Sequence, residues 1–242
     1  MDERFHDLER QVEDFHWWYK VRREILDRQL ASLRLPANAR LLDVGCGTGG
    51  ASLVLARHGQ AFALDRAPQS FAISMDRPYR HRVVSSLEQR LPFSDGSFDV
   101  VCALDILEHL DDDFASAREL HRVCKPGGVL IAYVPAFAAL WGYNDDYSHH
   151  RRRYTRAQLD RLVGEAGFVV EKSGYFNMIL FLPTLLARVA QRRFPQLDQM
   201  EHSTRPHPLH PLLATLFRLE LPLLGKVPLP VGTSAFSIGR KS

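Results

Sequence analysis

The chain is poor in several things, and each scarcity narrows what it can be. It has only three cysteines, Cys46, Cys102 and Cys124, among 242 residues. Their number is odd, their spacing matches no metal-ligand pattern, and each sits among apolar residues. Buried free thiols in a reducing compartment are therefore expected, not a disulfide framework or a zinc module. The net charge is only +3, too small an excess to suggest a nucleic-acid partner. No apolar run reaches the roughly 20 residues that a membrane-spanning helix needs. The nearest, "YFNMILFLPTLLARVA" at 175–190, is shorter and is interrupted by Pro183. The start, "MDERFHDLERQVEDF", is charged and lacks an apolar h-region, so a cytoplasmic location is expected. Internal repeats and low-complexity tracts are lacking too. Hydrophobic residues make up 45% and charged residues 24%. That balance excludes a disordered chain, and the length suits one large α/β domain or two small ones.

Present instead is a regular alternation. The first 35 residues read as helix, with "WWYKVRREILDRQLASLRL" repeating apolar residues near a 3.6 period and Pro36 as its stop. "ARLLDVG" is a short buried strand, and "GGASLVLARHG" a helix closed by Gly59. "AFALD", "HRVVSS", "FDVVCALD", "GVLIAYVP" and "FVVEKSGY" read as further strands. Two helices lie among them: "DDDFASARELHRVCKPGG", acidic at its start and basic at its end, and "TRAQLDRLVGEAGF", capped by Thr155. Apolar strands alternating with helices predict an α/β fold whose mostly parallel sheet is covered on both faces. A last strand, "TSAFSIGRK", follows about fifty residues later, far beyond a usual connection. The expected organisation is one domain: a helical cap over 1–36, a Rossmann-like core over 39–177 and 231–242, and a helical insertion over 178–230.

The stretch "LLDVGCGTGG" (41–50) carries the chemistry. In an open parallel sheet the loop beyond the first strand is where a ligand binds. Gly45, Gly47 and Gly49 let the backbone turn and a ligand approach it. The spacing is G-x-G-x-G with Asp43 before it, whereas a dinucleotide fingerprint is G-x-G-x-x-G. A carboxylate there suits a cationic ligand and opposes a diphosphate. Asp65, about twenty residues on, is placed to accept hydrogen bonds from ribose hydroxyls. Glycine loop and distal acid together point to an adenosine-containing cofactor, and Asp43 favours S-adenosylmethionine over a nicotinamide dinucleotide.

These residues, with "ALD" (63–65), "LPFSDGSFDVVCALDILEHL" (91–110) and "LHRVCKPGGVLIAYVP" (120–135), resemble the class I S-adenosylmethionine-dependent methyltransferases. "FHWWYKVRREIL" and "HHRRRYTRAQL" resemble an uncharacterised bacterial subgroup related to ubiquinone-pathway-type methyltransferases. The resemblance implies a seven-stranded sheet of order 3-2-1-4-5-7-6 with an antiparallel last strand. It also implies a cofactor site of Asp43, Gly45, Cys46, Gly47, Gly49, Asp65 and Arg66. Ser86 and Leu87 would edge the adenine, Leu104 the methionine part, and Arg22 or Arg23 would pair with the cofactor's carboxylate.

The acceptor is less legible. His109, His150 and Tyr154 are the candidate catalytic groups, since a hydroxyl acceptor needs a general base. Asp105, Glu108 and His109 form D-x-x-E-H, where related ubiquinone-pathway enzymes carry E-x-x-E-H, a set that can hold a divalent cation. The main expectation remains a site without metal. "RRR" (151–153) is placed to clamp a phosphate or carboxylate. His202, His207 and His210 are too loosely spaced for a metal site. The insertion, with Arg188, Arg192 and Arg193, fits an acceptor lid, a homodimer surface or a peripheral membrane contact through 175–225. The leading expectation is methylation of a small molecule, most simply on a hydroxyl oxygen and on a lipid-linked or phosphate-bearing acceptor. A nitrogen or carbon acceptor stays open, as does a non-catalytic S-adenosylmethionine-binding regulator.

Overall fold

A computed structural model describes residues 10–194, 207–227 and 229–242. Helix α1 spans Trp17–Ala31, β1 Arg40–Val44, α2 Ser52–His58, β2 Gln60–Asp65, α3 Pro68–Ile73, β3 His81–Val84 and β4 Phe98–Leu104. A 3-10 turn at Leu107–His109 leads to α4, Asp113–Val123, and β5, Cys124–Pro135. Then follow α5 at Tyr143–Tyr147, α6 at Arg156–Glu165, β6 at Phe168–Phe176, α7 at Phe181–Arg193, α8 at His210–Arg218 and β7 at Ser234–Lys241. The sheet runs β3-β2-β1-β4-β5-β7-β6, and β7 is antiparallel to both neighbours. This is the Rossmann-like order that the resemblance implied.

Alternation along β1 divides the interior in two. Leu42 and Val44 enter a core with Leu64 and with Leu120 and Val163 of α4 and α6. Leu41 points to the other face, against Ile25 of α1, Val54 of α2 and Phe217 of α8. Leu41, Leu42 and Leu64 are wholly buried and contribute about 2 kcal/mol apiece by area removed from water. Helix α6 starts as expected: Thr155 accepts from the Gln158 N–H while the Gln158 side chain accepts from the Thr155 N–H.

Several boundaries differ from the sequence reading. The first 35 residues are not one helix. Residues 10–13 are helical, the N–H groups of Phe15 and His16 both close on the Val12 carbonyl, and α1 starts anew behind His16. Pro36 does not end α1 either; Ser32 closes it, its hydroxyl donating to the Gln29 carbonyl at 2.7 Å. Gly59 does follow α2, but with φ 162° it is extended, not a left-handed cap. What requires glycine is space, because a Cβ would collide with the Ala39 carbonyl oxygen. Pro183 does not interrupt a helix. It lies in the first turn of α7, where its missing N–H would have had no partner. The apolar run is broken earlier, at Asn177. His202 and the start of "HSTRPHPLHP" lie outside the described residues.

Three non-glycine residues with positive φ stand just beyond strand ends: Asp105 (57°) after β4, Phe137 (53°) after β5 and Asn177 (62°) after β6. Each is a conformation that a side chain disfavours. Their shared place, the carboxyl edge of the sheet, marks that edge as the one shaped for function.

Gly59→Ala is expected to destabilise the fold by about 1–3 kcal/mol through overpacking against β1. Urea denaturation checks it; a loss below about 0.5 kcal/mol would mean that the α2–β2 turn relaxes freely.

Candidate functional site

The glycine loop is held from two sides. The N–H groups of Gly45 and Cys46 both reach the Leu64 carbonyl, at 2.8 and 3.1 Å. Gly45 has φ 70°, and a Cβ on it would lie 2.7 Å from Ile106 Cδ1. Asp65 then clamps the loop, one carboxylate oxygen accepting from the Gly47 N–H at 2.9 Å and the other from the Ala67 N–H at 2.8 Å. Asp43 accepts the Tyr79 hydroxyl. Burial pushes the Asp43 carboxyl up to about 7; the Tyr79 bond opposes this, and the nearby Asp65 and Glu13 carboxylates add to the rise. The Cys46 thiol is also pushed well up, by burial first and then by Asp43 and Asp65. It stays protonated.

Beyond the strand ends lies a cavity of about 1080 Å³. Gly45, Cys46, Gly47, Arg66, Ser86, Leu87 and Leu104 all line it. Gly49 does not; its bare Cα makes room for Arg77 and Tyr79 behind the loop. Gly50 lines it instead, with the Glu13 carboxylate lying over its Cα. Arg22 and Arg23 reach the wall from α1 but serve different neighbours. The Arg22 guanidinium stacks over the Trp18 ring, 4.1 Å from its centroid, and pairs with Asp105. Arg23 turns back to the Glu13 carbonyl oxygen at 3.1 Å.

This glycine end tests the implied cofactor. Three carboxylates, Glu13, Asp43 and Asp65, line it. Glu13 is paired with buried Arg77 at 3.2 Å, so Asp43 and Asp65 are the acids that oppose a diphosphate and suit a ligand with an ammonium group and ribose hydroxyls. The glycine cradle leaves the space that such a ligand needs, so the residues present fit S-adenosylmethionine.

The opposite end is built around Asp145, whose side chain is wholly buried on α5. Its two oxygens accept from His150 Nδ1 at 2.8 Å, Arg153 Nε at 2.7 Å, Arg153 Nη2 at 3.0 Å and the Gly142 N–H at 2.8 Å. Burial alone would raise this carboxyl, but the bonds from His150 and Arg153 hold it at about 2. His150 meets His109 edge-to-face, ring centroids 4.7 Å apart. Burial, His150 and Arg66 bring His109 down to about 3, so it is neutral. Glu108 also lines the cavity, fully buried and without a side-chain partner. Burial, then the Asp105 charge, push its carboxyl well up.

Several sequence expectations change here. Tyr154 is not in the cavity wall: it is buried in the core, its hydroxyl donating to the Asp113 carboxylate at 2.7 Å and the Leu107 carbonyl at 3.2 Å. "RRR" is not a free clamp. Arg151 pairs with Asp111, Arg152 with Asp113 and Arg153 with Asp145. Asp105 leaves the D-x-x-E-H set to pair with Arg22. Instead Glu108, His109 and His150 each bring one donor atom within 4.8 Å of the others, a spacing that a divalent cation can bridge. The sequence reading missed Glu13, Asp145 and Asn177 as cavity residues. Asn177 Nδ2 donates to Thr233 Oγ1 at 2.8 Å, while its buried side-chain oxygen, Oδ1, has no partner among the described residues. Only Asp145 gave a signal, the acidic pair in "YNDDY".

A family model described as "Methyltransferase domain" matches residues 42–132. A ubiquinone biosynthesis O-methyltransferase of Xanthomonas axonopodis pv. citri is 32% identical over 187 residues, 69% of this chain and 77% of the relative. Its counterpart in Xanthomonas campestris pv. campestris is 40% identical over 115 residues, 44% of this chain and 46% of the relative. In such matches the chain spans about half the length of the curated relatives. Among solved structures, a Thermotoga maritima "SAM-dependent methyltransferase, possible histamine N-methyltransferase" superposes with TM-score 0.61 at 18% identity. The match covers 99% of this chain and 98% of that one, and shows a shared fold.

Tyr154→Phe removes a buried hydrogen bond to a carboxylate. It is expected to cost about 1–3 kcal/mol of stability and to leave the affinity for S-adenosylhomocysteine unchanged. Thermal denaturation and calorimetric titration of the same variant check this; lost affinity with intact stability would return Tyr154 to the site.

Proposed function

The chain belongs to the S-adenosylmethionine-dependent methyltransferases, and from that membership we propose that it methylates a hydroxyl oxygen of a small molecule held in this cavity. The observation that carries the reading is the pairing of a carboxylate-lined glycine end with a buried Asp145–His150 couple at the other end. The relatives' O-methyltransferase names support oxygen as the acceptor atom.

S-adenosylmethionine, when bound, supplies a methyl group already activated on a sulfonium. What remains for the chain is alignment, exclusion of water and removal of a proton. Asp65, fixed by its two backbone donors, has lone pairs left for ribose hydroxyls, and Asp43 faces the cationic part. Ser86, Leu87 and Leu104 would border the rest, and Arg22 would hold a carboxylate if it exchanged Asp105 for it. At the acceptor end, ionised Asp145 fixes the proton of His150 on Nδ1. Nε2 is then the free acceptor for a hydroxyl proton. Arg153 neutralises Asp145 and stops it from taking that proton itself. Burial and the Asp105 charge push the Glu108 carboxyl up, and in its protonated form it would donate to an acceptor oxygen. Helix α7 roofs the cavity through Thr184 and Arg188, which favours the acceptor-lid role for the insertion. A phosphate on the acceptor loses support, because the three arginines at 151–153 are already paired.

His150→Gln is expected to lower kcat by about 10²–10³-fold with unchanged affinity for S-adenosylhomocysteine, assayed with EDTA present. Unaltered kcat would remove His150 as the base. Collapse of the native enzyme's activity on EDTA addition alone would shift the hydroxyl's activation to a cation on Glu108, His109 and His150. A second test uses pH. With its carboxyl at about 7, Asp43 is protonated below that pH and can offer an ammonium group no charge. Affinity for S-adenosylhomocysteine should therefore rise as pH increases from 6 to 8, and Asp43→Asn should flatten the profile. A native profile flat across that range would exclude Asp43 from the contact.

A further inference from the structure

The carboxyl edge of the sheet carries a buried polar group that neither the glycine end nor the Asp145–His150 couple uses. Asn177 directly follows β6, lines the cavity and is 3% exposed. Its side-chain amide has two ends. Nδ2 donates to Thr233 Oγ1, while Oδ1 has no partner among the described residues. The bond to Thr233 and the φ of 62° account for the turn that leaves β6, since asparagine adopts this backbone conformation more readily than most residues. Neither accounts for Oδ1. A buried acceptor without a donor is costly, so its partner is expected to arrive from outside the chain.

The place of Asn177 along the sheet edge constrains what that partner is attached to. The strand order β1-β4-β5-β7-β6 ranks the groups beyond the strand ends. The glycine loop follows β1, and Glu108 and His109 follow β4. His150 meets His109 there, and Arg153, which holds Asp145, donates to the Ala136 carbonyl after β5 at 3.0 Å. The Ala136 N–H donates in turn to the carbonyl oxygen of Thr233, just before β7, at 3.0 Å. Thr233 then holds Asn177 beyond β6. The strands that anchor the transfer end and Asn177, β5 and β6, stand two spacings or roughly 10 Å apart. Pro135 and Leu140 also line the cavity and offer no side-chain hydrogen bond.

We propose that Asn177 is a specificity-determining residue for the acceptor, its Oδ1 accepting a hydrogen bond from a second hydroxyl or N–H group of that molecule. The acceptor class is then an elongated, mainly apolar molecule with a hydrogen-bond donor at each end. One end is the hydroxyl that His150 faces, and the other is held by Asn177. This names the acceptor of the methyl-transfer reading and rests on it, although binding of such a molecule needs no turnover.

The test is calorimetric titration of the full chain, saturated with S-adenosylhomocysteine, with three biphenyls. One carries a hydroxyl at each para position, one a single para hydroxyl, and one a methoxy group in place of the second hydroxyl. The dihydroxy probe should bind about tenfold more tightly than the other two, the difference that one buried hydrogen bond makes. In Asn177→Gly, which drops the amide where glycine adopts the backbone conformation freely, that ratio should fall to about one. Equal affinities of the native chain for the three probes, or no binding of the dihydroxy probe, would overturn the proposal. So would a ratio that the variant keeps. Tightest binding of the methoxy probe would overturn it too, since the amide would then present Nδ2 and select an acceptor oxygen. The comparison on the native chain decides the matter even where the variant loses its thermal midpoint. A dihydroxy probe that binds as expected, yet is not methylated once S-adenosylmethionine replaces S-adenosylhomocysteine, would sink the methyl-transfer reading and leave the hydrogen bond to Asn177 standing.

Discussion

The Asp65 carboxylate is the constraint on which the site depends. It ends β2, yet its two oxygens hold the N–H of Gly47, beyond β1, and the N–H of Ala67, at the entry to α3. Two loops from adjacent parallel strands are thereby fixed by one side chain. Hydrogen bonds to a charged acceptor are the stronger kind, each worth about 1.5–3 kcal/mol. The glycines allow the turn, but Asp65 selects its shape. The cavity floor and the seat of Glu13 over Gly50 follow from a loop held in that place.

Two buried carboxylates show how environment divides the cavity into two chemistries. Asp43 and Asp145 are both removed from water, and burial pushes both upward. Asp43 is opposed only by a neutral tyrosine hydroxyl and is surrounded by further acids, so it rests near 7. Asp145 has a guanidinium across both its oxygens and an imidazole beside it, so it rests near 2. The first is a carboxyl that a cationic ligand can complete. The second is a settled anion that orients His150. Positive φ at Asp105, Phe137 and Asn177 places the bends that bring these groups to one edge of the sheet.

The sequence disclosed the strands and the glycine loop because both are local, while the strand order came from the family resemblance. Alternating apolar strands, three glycines at alternate positions and an acid at a strand end are patterns readable within a few residues. Helix limits were harder: Ser32 ends α1 through its own hydroxyl bond, although Pro36 looks the stronger stop. The acceptor end was legible only as a polar loop. Its order comes in part from contacts between distant residues, such as Arg22 with Asp105 and Arg152 with Asp113. Spacing alone could not show that "RRR" is consumed by carboxylates, nor that Tyr154 turns into the core towards α4. Glu13 likewise reaches Gly50 from a segment ahead of α1.

The central claim is that the carboxylate-lined glycine end holds S-adenosylmethionine and not a dinucleotide. Calorimetric titration of the purified chain with S-adenosylhomocysteine and, separately, with NAD tests it directly. One site with an affinity on the order of micromolar for S-adenosylhomocysteine and no heat with NAD is the predicted result. Micromolar binding of NAD with none of S-adenosylhomocysteine would contradict it.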